Sequence, residues 1–220
     1  MELHEAVKGR KSIRAYKPDP VQRDVLEDIL KKAIWAPSWG NTQPWEIHVA
    51  GREMLEKISD ELIAKASSGE MTKPELTMPA AWPPEHKKRY TETGRDLFNA
   101  IGIQREDAKA RMNYYMNIYR FFGAPNAIYI CMDKGINQHY GPFDIGSITG
   151  TICLLAHEKG LGTCILAGSV HYPDVIRKYI NIPESKIIVI GIAIGYPDTN
   201  NPIYSFKSGR DENIISWDAF

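Results

Sequence analysis

The chain has 220 residues, 43% of them hydrophobic and 25% charged, the proportions of a soluble globular protein built as one domain. Lys plus Arg and Asp plus Glu each number 27, so the formal charge is zero, which argues against non-specific attraction to nucleic acid or a membrane surface as its main business. The most apolar stretches, 148–156 and 187–194, fall well short of the roughly 20 residues that cross a bilayer, and the charged opening MELHEAVKGRK carries no secretory leader pattern.

In chain order, Val25, Leu26, Ile29, Leu30 and Ala33 recur at helical spacing, which predicts an amphipathic helix over 21–34, entered after Pro20. Pro37 forces an exit, and 38–44 reads as a polar, turn-rich loop. A strand over 45–50 and a helix over 53–66 follow. Residues 67–91 hold Pro74, Pro79, Pro83 and Pro84 and no sustained period, which predicts a lid-like excursion of one domain. A long helical region is expected over about 92–122, ending at Gly123 and Pro125. Then come a buried strand at 127–132, an apolar helix at 144–157, an extended piece at 162–167, a helix at 173–179 and a buried strand at 187–194. From Pro197 the tail is polar and irregular, an arm with few means of burying itself.

Familiar nucleotide and metal signatures are incomplete. Gly160-Leu161-Gly162 starts a dinucleotide fingerprint, but Ile165 stands where its third glycine belongs. Gly141 and Gly146 have phosphate-loop spacing, but Ser147 replaces the lysine. Gly146-Ser147-Ile148-Thr149-Gly150 has its serine one place too early for a nucleophile elbow. The six histidines never pair at ligand spacing, so no metal is expected. Cys131, Cys153 and Cys164 form no CxxC and lie in apolar surroundings. They read as buried small hydrophobes of a reducing compartment, the cytoplasm.

Four clusters carry chemistry. Arg10, Lys11, Ser12 and Arg14 crowd three cations and a hydroxyl into five residues, which suits phosphate oxygens. The loop Ala36-Pro37-Ser38-Trp39-Gly40-Asn41-Thr42-Gln43-Pro44-Trp45 offers donors and acceptors to the edge of a heterocycle. Small residues in GLGTCILAG, 160–168, let backbone amides approach a flat ring. Lys207-Ser208-Gly209-Arg210 adds two more cations from the tail.

Their order resembles the FMN-dependent nitroreductase family: R-x-S-x-R, then A-P-S-x-x-N-x-Q-P-W, Asp144-Ile145-Gly146 at a helix start, G-L-G-T-C, Gly195-Tyr196-Pro197, and K-S-x-R. The resemblance covers about residues 3–217. Lys11 stands where many members have arginine or histidine, Trp39 occupies a variable place in the loop, and Ala167 stands where some members have glutamate. The resemblance implies an α+β, nitroreductase-like fold: a central mixed β-sheet flanked by helices, in an intertwined homodimer with FMN at the interface. It implies that Arg10, Lys11, Ser12, Lys207 and Arg210 hold the FMN phosphate and that Arg14 faces the pyrimidine edge. Pro37, Ser38, Trp39 and Asn41 would come from the partner chain, and Leu166, Ala167 and Gly168 would line the ring near N5.

With flavin N5 as the reactive atom, no side-chain nucleophile or obligatory catalytic side chain is expected. NAD(P)H would deliver hydride and a small, planar aromatic acceptor, a nitroaromatic or quinone, would take it in a ping-pong cycle. Trp82, Tyr115, Tyr119 and Phe122 are candidates to cover that acceptor. The alternatives are reductive dehalogenation or ene reduction at the same flavin site under a different lid, oxygen-dependent flavin destruction, or a non-catalytic flavin-binding role.

Overall fold

The isoleucine-rich run from Lys186 to Gly195 is a strand buried on both faces, and the rest of the fold is arranged around it. The computed structural model describes residues 1–218. Its sheet has four strands, β1 (Trp45–Ala50), β2 (Asn126–Asp133), β3 (Gly162–Leu166) and β4 (Lys186–Gly195), in the order β1-β2-β4-β3. All three neighbouring pairs are antiparallel, with a bulge between Ile130 and Cys131. In place of the expected mixed sheet, the strands are antiparallel throughout, and among the described residues parallel pairing is confined to the isolated bridge between Ser12 and Thr163.

Alternation along β2 divides the core. Ile128, Ile130 and Met132 face α2 (Arg23–Ala33) and α6 (Tyr140–Glu158), where Leu26, Ile29, Ile148 and Ile152 are buried. Ala127, Tyr129 and Cys131 face the opposite layer, α3 (Arg52–Ser68) and α7 (Pro173–Tyr179), with Leu55, Ile58, Leu62, Val175 and Ile176. A third, smaller cluster joins Leu97 and Phe98 of α4 (Pro84–Ala100) to Tyr114 of α5 (Ala108–Tyr119) and to Ile203 of the tail. A short α1 (Leu3–Gly9) precedes the cation cluster. All three cysteines are buried and free.

The strand at 45–50 and the helix at 173–179 have the expected bounds. The excursion is shorter than expected, because α4 already starts at Pro84, where proline's fixed φ suits a first helical position. The single long helix expected over 92–122 is two. Gly102 takes φ 70, which breaks the run, and the Asp107 carboxylate accepts from the Ala110 amide at 2.8 Å to start α5. Asp144 is not at a helix start. The Asn137 side chain accepts from the amides of His139 and Tyr140 at 2.9 and 3.2 Å, so α6 begins a turn earlier. The tail, expected to bury little, bridges Tyr16 through Pro197 and buries Ile203. No helix among the described residues is long and apolar enough to cross a membrane.

Candidate functional site

After α1 the chain straightens and runs beside β3. The Ile13 amide donates to the Thr163 carbonyl at 2.9 Å, and Ser12 bridges Thr163. This extended path puts Arg10, Lys11, Ser12 and Arg14 on one cleft with about 440 Å³ of free space, open to solvent. The tail closes the other side with Phe206, Lys207, Ser208 and Arg210. Six predicted residues nearly 200 positions apart in sequence therefore converge. Thr93 of α4 also lines the cleft; inside an exposed polar helix it carried no sequence signal.

The cleft gathers five cationic side chains and no acidic one. None of the five is ion-paired to a carboxylate among the described residues. They are held by neutral groups instead. Lys11 donates to the Tyr204 carbonyl and lies 3.8 Å from the centre of that residue's ring. Lys207 donates to the Lys8 carbonyl, and Arg14 to the Ser12 carbonyl at 3.2 Å. Arg210 is folded onto Ser208 and Gly209. The charge excess is felt locally. Burial and then the neighbouring Lys207 hold Lys11 below the usual ammonium range. Burial, Arg10 and Lys207 together hold His157 below the usual imidazole range. Unneutralised cations converging around a hydroxyl form the chemistry of an anion site, and a phosphate monoester fits it.

From Ser12 the strip continues along β3 to Leu166, which is buried, then to Ala167 and Gly168 in the turn that follows. Three residues of strand from Thr163 to Leu166 span roughly 10 Å, so the cation cleft and the small-residue turn lie at two ends of one edge. Gly168 is needed there for packing. A Cβ on it would lie 2.5 Å from Cγ2 of Ile118, which brings α5 directly against the turn. His171 closes the turn, its amide donating to the Gly168 carbonyl at 3.2 Å, and its ring shares a 3.0 Å hydrogen bond with the Tyr119 hydroxyl.

Pro37, Ser38, Trp39 and Asn41 line none of this cleft. Their loop is nonetheless tightly built. Ser38 Oγ accepts from the Gln43 amide at 3.0 Å, and Asn41 and Gln43 take φ 57 and 47, left-handed backbone that costs energy outside glycine. Asp144 anchors the loop by accepting from the Trp39 amide, and the Trp39 ring meets Tyr140 edge-on at 4.2 Å. Among the lid candidates, Tyr115 is 44% exposed beside Phe98, Tyr119 and Phe122 are half-buried, and Trp82 stands exposed on the excursion. Among the described residues no His, Cys, Asp and Glu cluster could hold a metal.

Known proteins resemble this chain over most of its length. The family model described as "Nitroreductase family" matches residues 7–196. The 4-nitrobenzoate reductase of Nocardioides sp. (strain LMS-CY) is 30% identical over 209 residues, 93% of this chain and 84% of that one. The nitrobenzene nitroreductase of Ectopseudomonas oleovorans is 29% identical over 203 residues, 91% of this chain and 88% of that one. The crystal structure of the FMN and NADPH-dependent nitroreductase NfnB from sphigopyxis sp. strain HMH superposes with a TM-score of 0.95 at 28% identity, covering 100% of both chains.

Proposed function

The chain belongs to the nitroreductase family, and from that premise we propose that its two-ended edge is a flavin site, with the phosphate in the cation cleft and the ring against 166–168. It is an NAD(P)H-dependent FMN oxidoreductase acting on nitroaromatics. When bound, FMN supplies the two-electron exchange between nicotinamide and acceptor. The net step converts a nitroarene, NAD(P)H and one proton into a nitrosoarene, NAD(P)⁺ and water.

Each group then has a task. Arg10, Lys11, Ser12, Lys207 and Arg210 hold the phosphate. Arg14 would offer a fixed positive charge to the pyrimidine edge, which favours a reduced, anionic ring. The close packing of Gly168 against Ile118 would hold 166–168 in place to line the ring near N5. The donor and the acceptor use one face in turn, a ping-pong cycle. The observation that carries this reading is the convergence of five carboxylate-free cations on one cleft at the end of β3. Heat release of the cofactor and chromatography test it: FMN is expected, and FAD or no flavin after FMN reconstitution would refute it. NAD(P)H should bleach the yellow protein and a nitroaromatic should restore the colour.

The working form is a homodimer. Leu3 and Val7, one turn apart on α1, are 72% and 56% exposed, and Phe143 of α6 is 75% exposed, an apolar display that a second copy would cover. Pro37, Ser38, Trp39 and Asn41 would reach the flavin of the other subunit, which accounts for a well-built loop that touches nothing in its own cleft. The three buried, unpaired cysteines support work in the cytoplasm.

A further inference from the structure

The cation cleft, the turn at 166–168 and the exposed apolar faces are absorbed by the reading above. Outside them, among the described residues, one charged side chain lies over an aromatic ring with no hydrogen bond or ion pair of its own. Arg111 sits on α5, and its guanidinium lies 4.6 Å from the ring centre of the buried Phe98. Its backbone amide closes the first turn of α5 on the Asp107 carbonyl, but its side chain makes no hydrogen bond or ion pair to any described residue. The contrast within the molecule is Arg177, whose guanidinium is spent on Glu75 and on the carbonyls of Ile182, Pro183 and Lys186. The carboxylate one turn before Arg111, Asp107, is turned to the Ala110 amide instead. A guanidinium of a half-buried residue placed over an aromatic ring, with its N–H fork unspent, is prepared for an incoming anion.

Its place on the helix says which one. Ile118 abuts Gly168. Tyr115 and Arg111 lie three and seven residues before it, on the same face, and seven residues of helix rise roughly 10 Å. Tyr115, 44% exposed, stands edge-on to Phe98 at 5.8 Å between the two. The face therefore runs from the reacting turn, past an aromatic wall, to a free guanidinium. We propose that Arg111 is a specificity-determining residue that selects planar aromatic acceptors carrying a carboxylate remote from the group being reduced. The inference rests on the flavin reading of the 166–168 turn. The carboxylate forks onto Arg111, the ring packs on Tyr115 and Phe98, and the reducible group is directed to the turn.

The test uses the FMN-loaded protein and separates the half-reactions. After reduction by NADPH, reoxidation is followed by stopped flow with 4-nitrobenzoate and with nitrobenzene. The ratio of the two second-order rate constants is expected to fall about tenfold in Arg111→Gln and to recover in part in Arg111→Lys. Lys109→Gln, which removes an exposed charge from the same helix, should leave the ratio alone. Benzoate, which cannot be reduced, is titrated against the oxidised flavin spectrum, and its Kd should rise about tenfold in Arg111→Gln. Bound flavin and melting temperature establish that each variant is folded. An unchanged ratio, an equal fall for both acceptors, or a loss confined to reduction by NADPH would overturn the proposal. If neither acceptor reoxidises the protein, the oxidoreductase reading fails, while the benzoate titration still decides the role of Arg111.

Discussion

The buried carboxylate of Asp144 receives the Trp39 amide on both oxygens, at 3.2 and 3.1 Å, across 105 residues of sequence. This bond ties α6 to the loop that carries Pro37, Ser38 and Asn41. Replacing Asp144 by Ala leaves the Trp39 amide without its acceptor and a gap at a site only 3% exposed. We expect a loss of about 2 kcal/mol, typical of a hydrogen bond to a charged group. Denaturant unfolding measures it. Because the loop is proposed to complete the partner's flavin site, FMN retention should fall with stability. Full retention of FMN and an unaltered unfolding midpoint would show that the loop does not depend on Asp144.

Arg10 and Arg14 line one cleft but should differ in effect. Arg10 belongs to the cluster around Lys207 and His157, whereas Arg14 faces the Phe206 ring at 5.9 Å, further along the edge. Arg10→Ala should weaken FMN binding by about 1.5–3 kcal/mol, the worth of a charge-assisted contact. Arg14→Ala should chiefly lower the flavin reduction potential. Fluorescence titration and a dye-equilibration potential separate them. Equal losses of affinity with no change in potential would refute the division.

His157, near Arg10 and Lys207, makes the stability of the fold depend on pH. Burial and the nearby Arg10 and Lys207 lower its pKa from the ordinary 6.5, so the folded chain binds fewer protons there than the unfolded chain. Stability is intact above the unfolded value and is lost as pH falls from about 6.5 through the lower folded value. His157→Gln should flatten that acid-side slope in the FMN-free protein. Urea midpoints between pH 7.5 and 5.5 check this, and parallel slopes for both proteins would contradict it.

Much of the site was legible because it rests on residue types whose chemistry is local. Arg10, Lys11, Ser12, Lys207 and Arg210 announce an anion site by composition, and their convergence follows from the short bridge at Thr163 and from Tyr204 stacking on Lys11. The strands were legible because β2 and β4 are nearly continuous apolar runs. Other features depend on partners that no spacing reveals. The break at Gly102 is one backbone angle inside a helix-prone stretch. Asp144 has no local signature as an anchor for Trp39, and Thr93 lines the cleft only because α4 packs on the tail. Gly168 looked like room for a ring; its lack of a Cβ first makes room for Ile118.

That packing gives a prediction of its own. Gly168→Ala would set a methyl 2.5 Å from Ile118 Cγ2, an overpacking that costs about 1–3 kcal/mol. Ile118→Ala in the same chain removes the obstructing atom, so the double variant should recover part of what Gly168→Ala loses. Thermal melts of the three variants form a cycle. Additive losses would mean that the two residues are not coupled.

The excursion between α3 and α4 has two halves with different fates. Its first half is fastened down. The Glu75 carboxylate accepts from Arg177 Nη2 at 2.8 and 2.9 Å and from the Ile188 amide at 2.8 Å, in a pair whose side chains are 11% and 19% exposed. The Lys73 amide donates to the His171 carbonyl at 2.8 Å, and the Tyr172 hydroxyl donates to the Glu70 carbonyl at 2.9 Å. Residues 70–76 are therefore part of the body, joined to the residue that closes the 166–168 turn. Residues 77–83 are exposed throughout and carry Met78 and Trp82. Glu75→Gln should cost about 3 kcal/mol, because it strands a nearly buried guanidinium. Adding Arg177→Met should return part of it, since a buried pair removed together leaves no orphan charge. Removing 78–82 should instead leave the unfolding midpoint nearly unchanged, because no packed group is lost. If this half covers the acceptor, that deletion raises the Michaelis constants of bulky acceptors while FMN stays bound. Steady-state kinetics with small and large nitroarenes decide it. Unchanged constants across the series, with the flavin retained, would show that Trp82 and its neighbours take no part in choosing the acceptor.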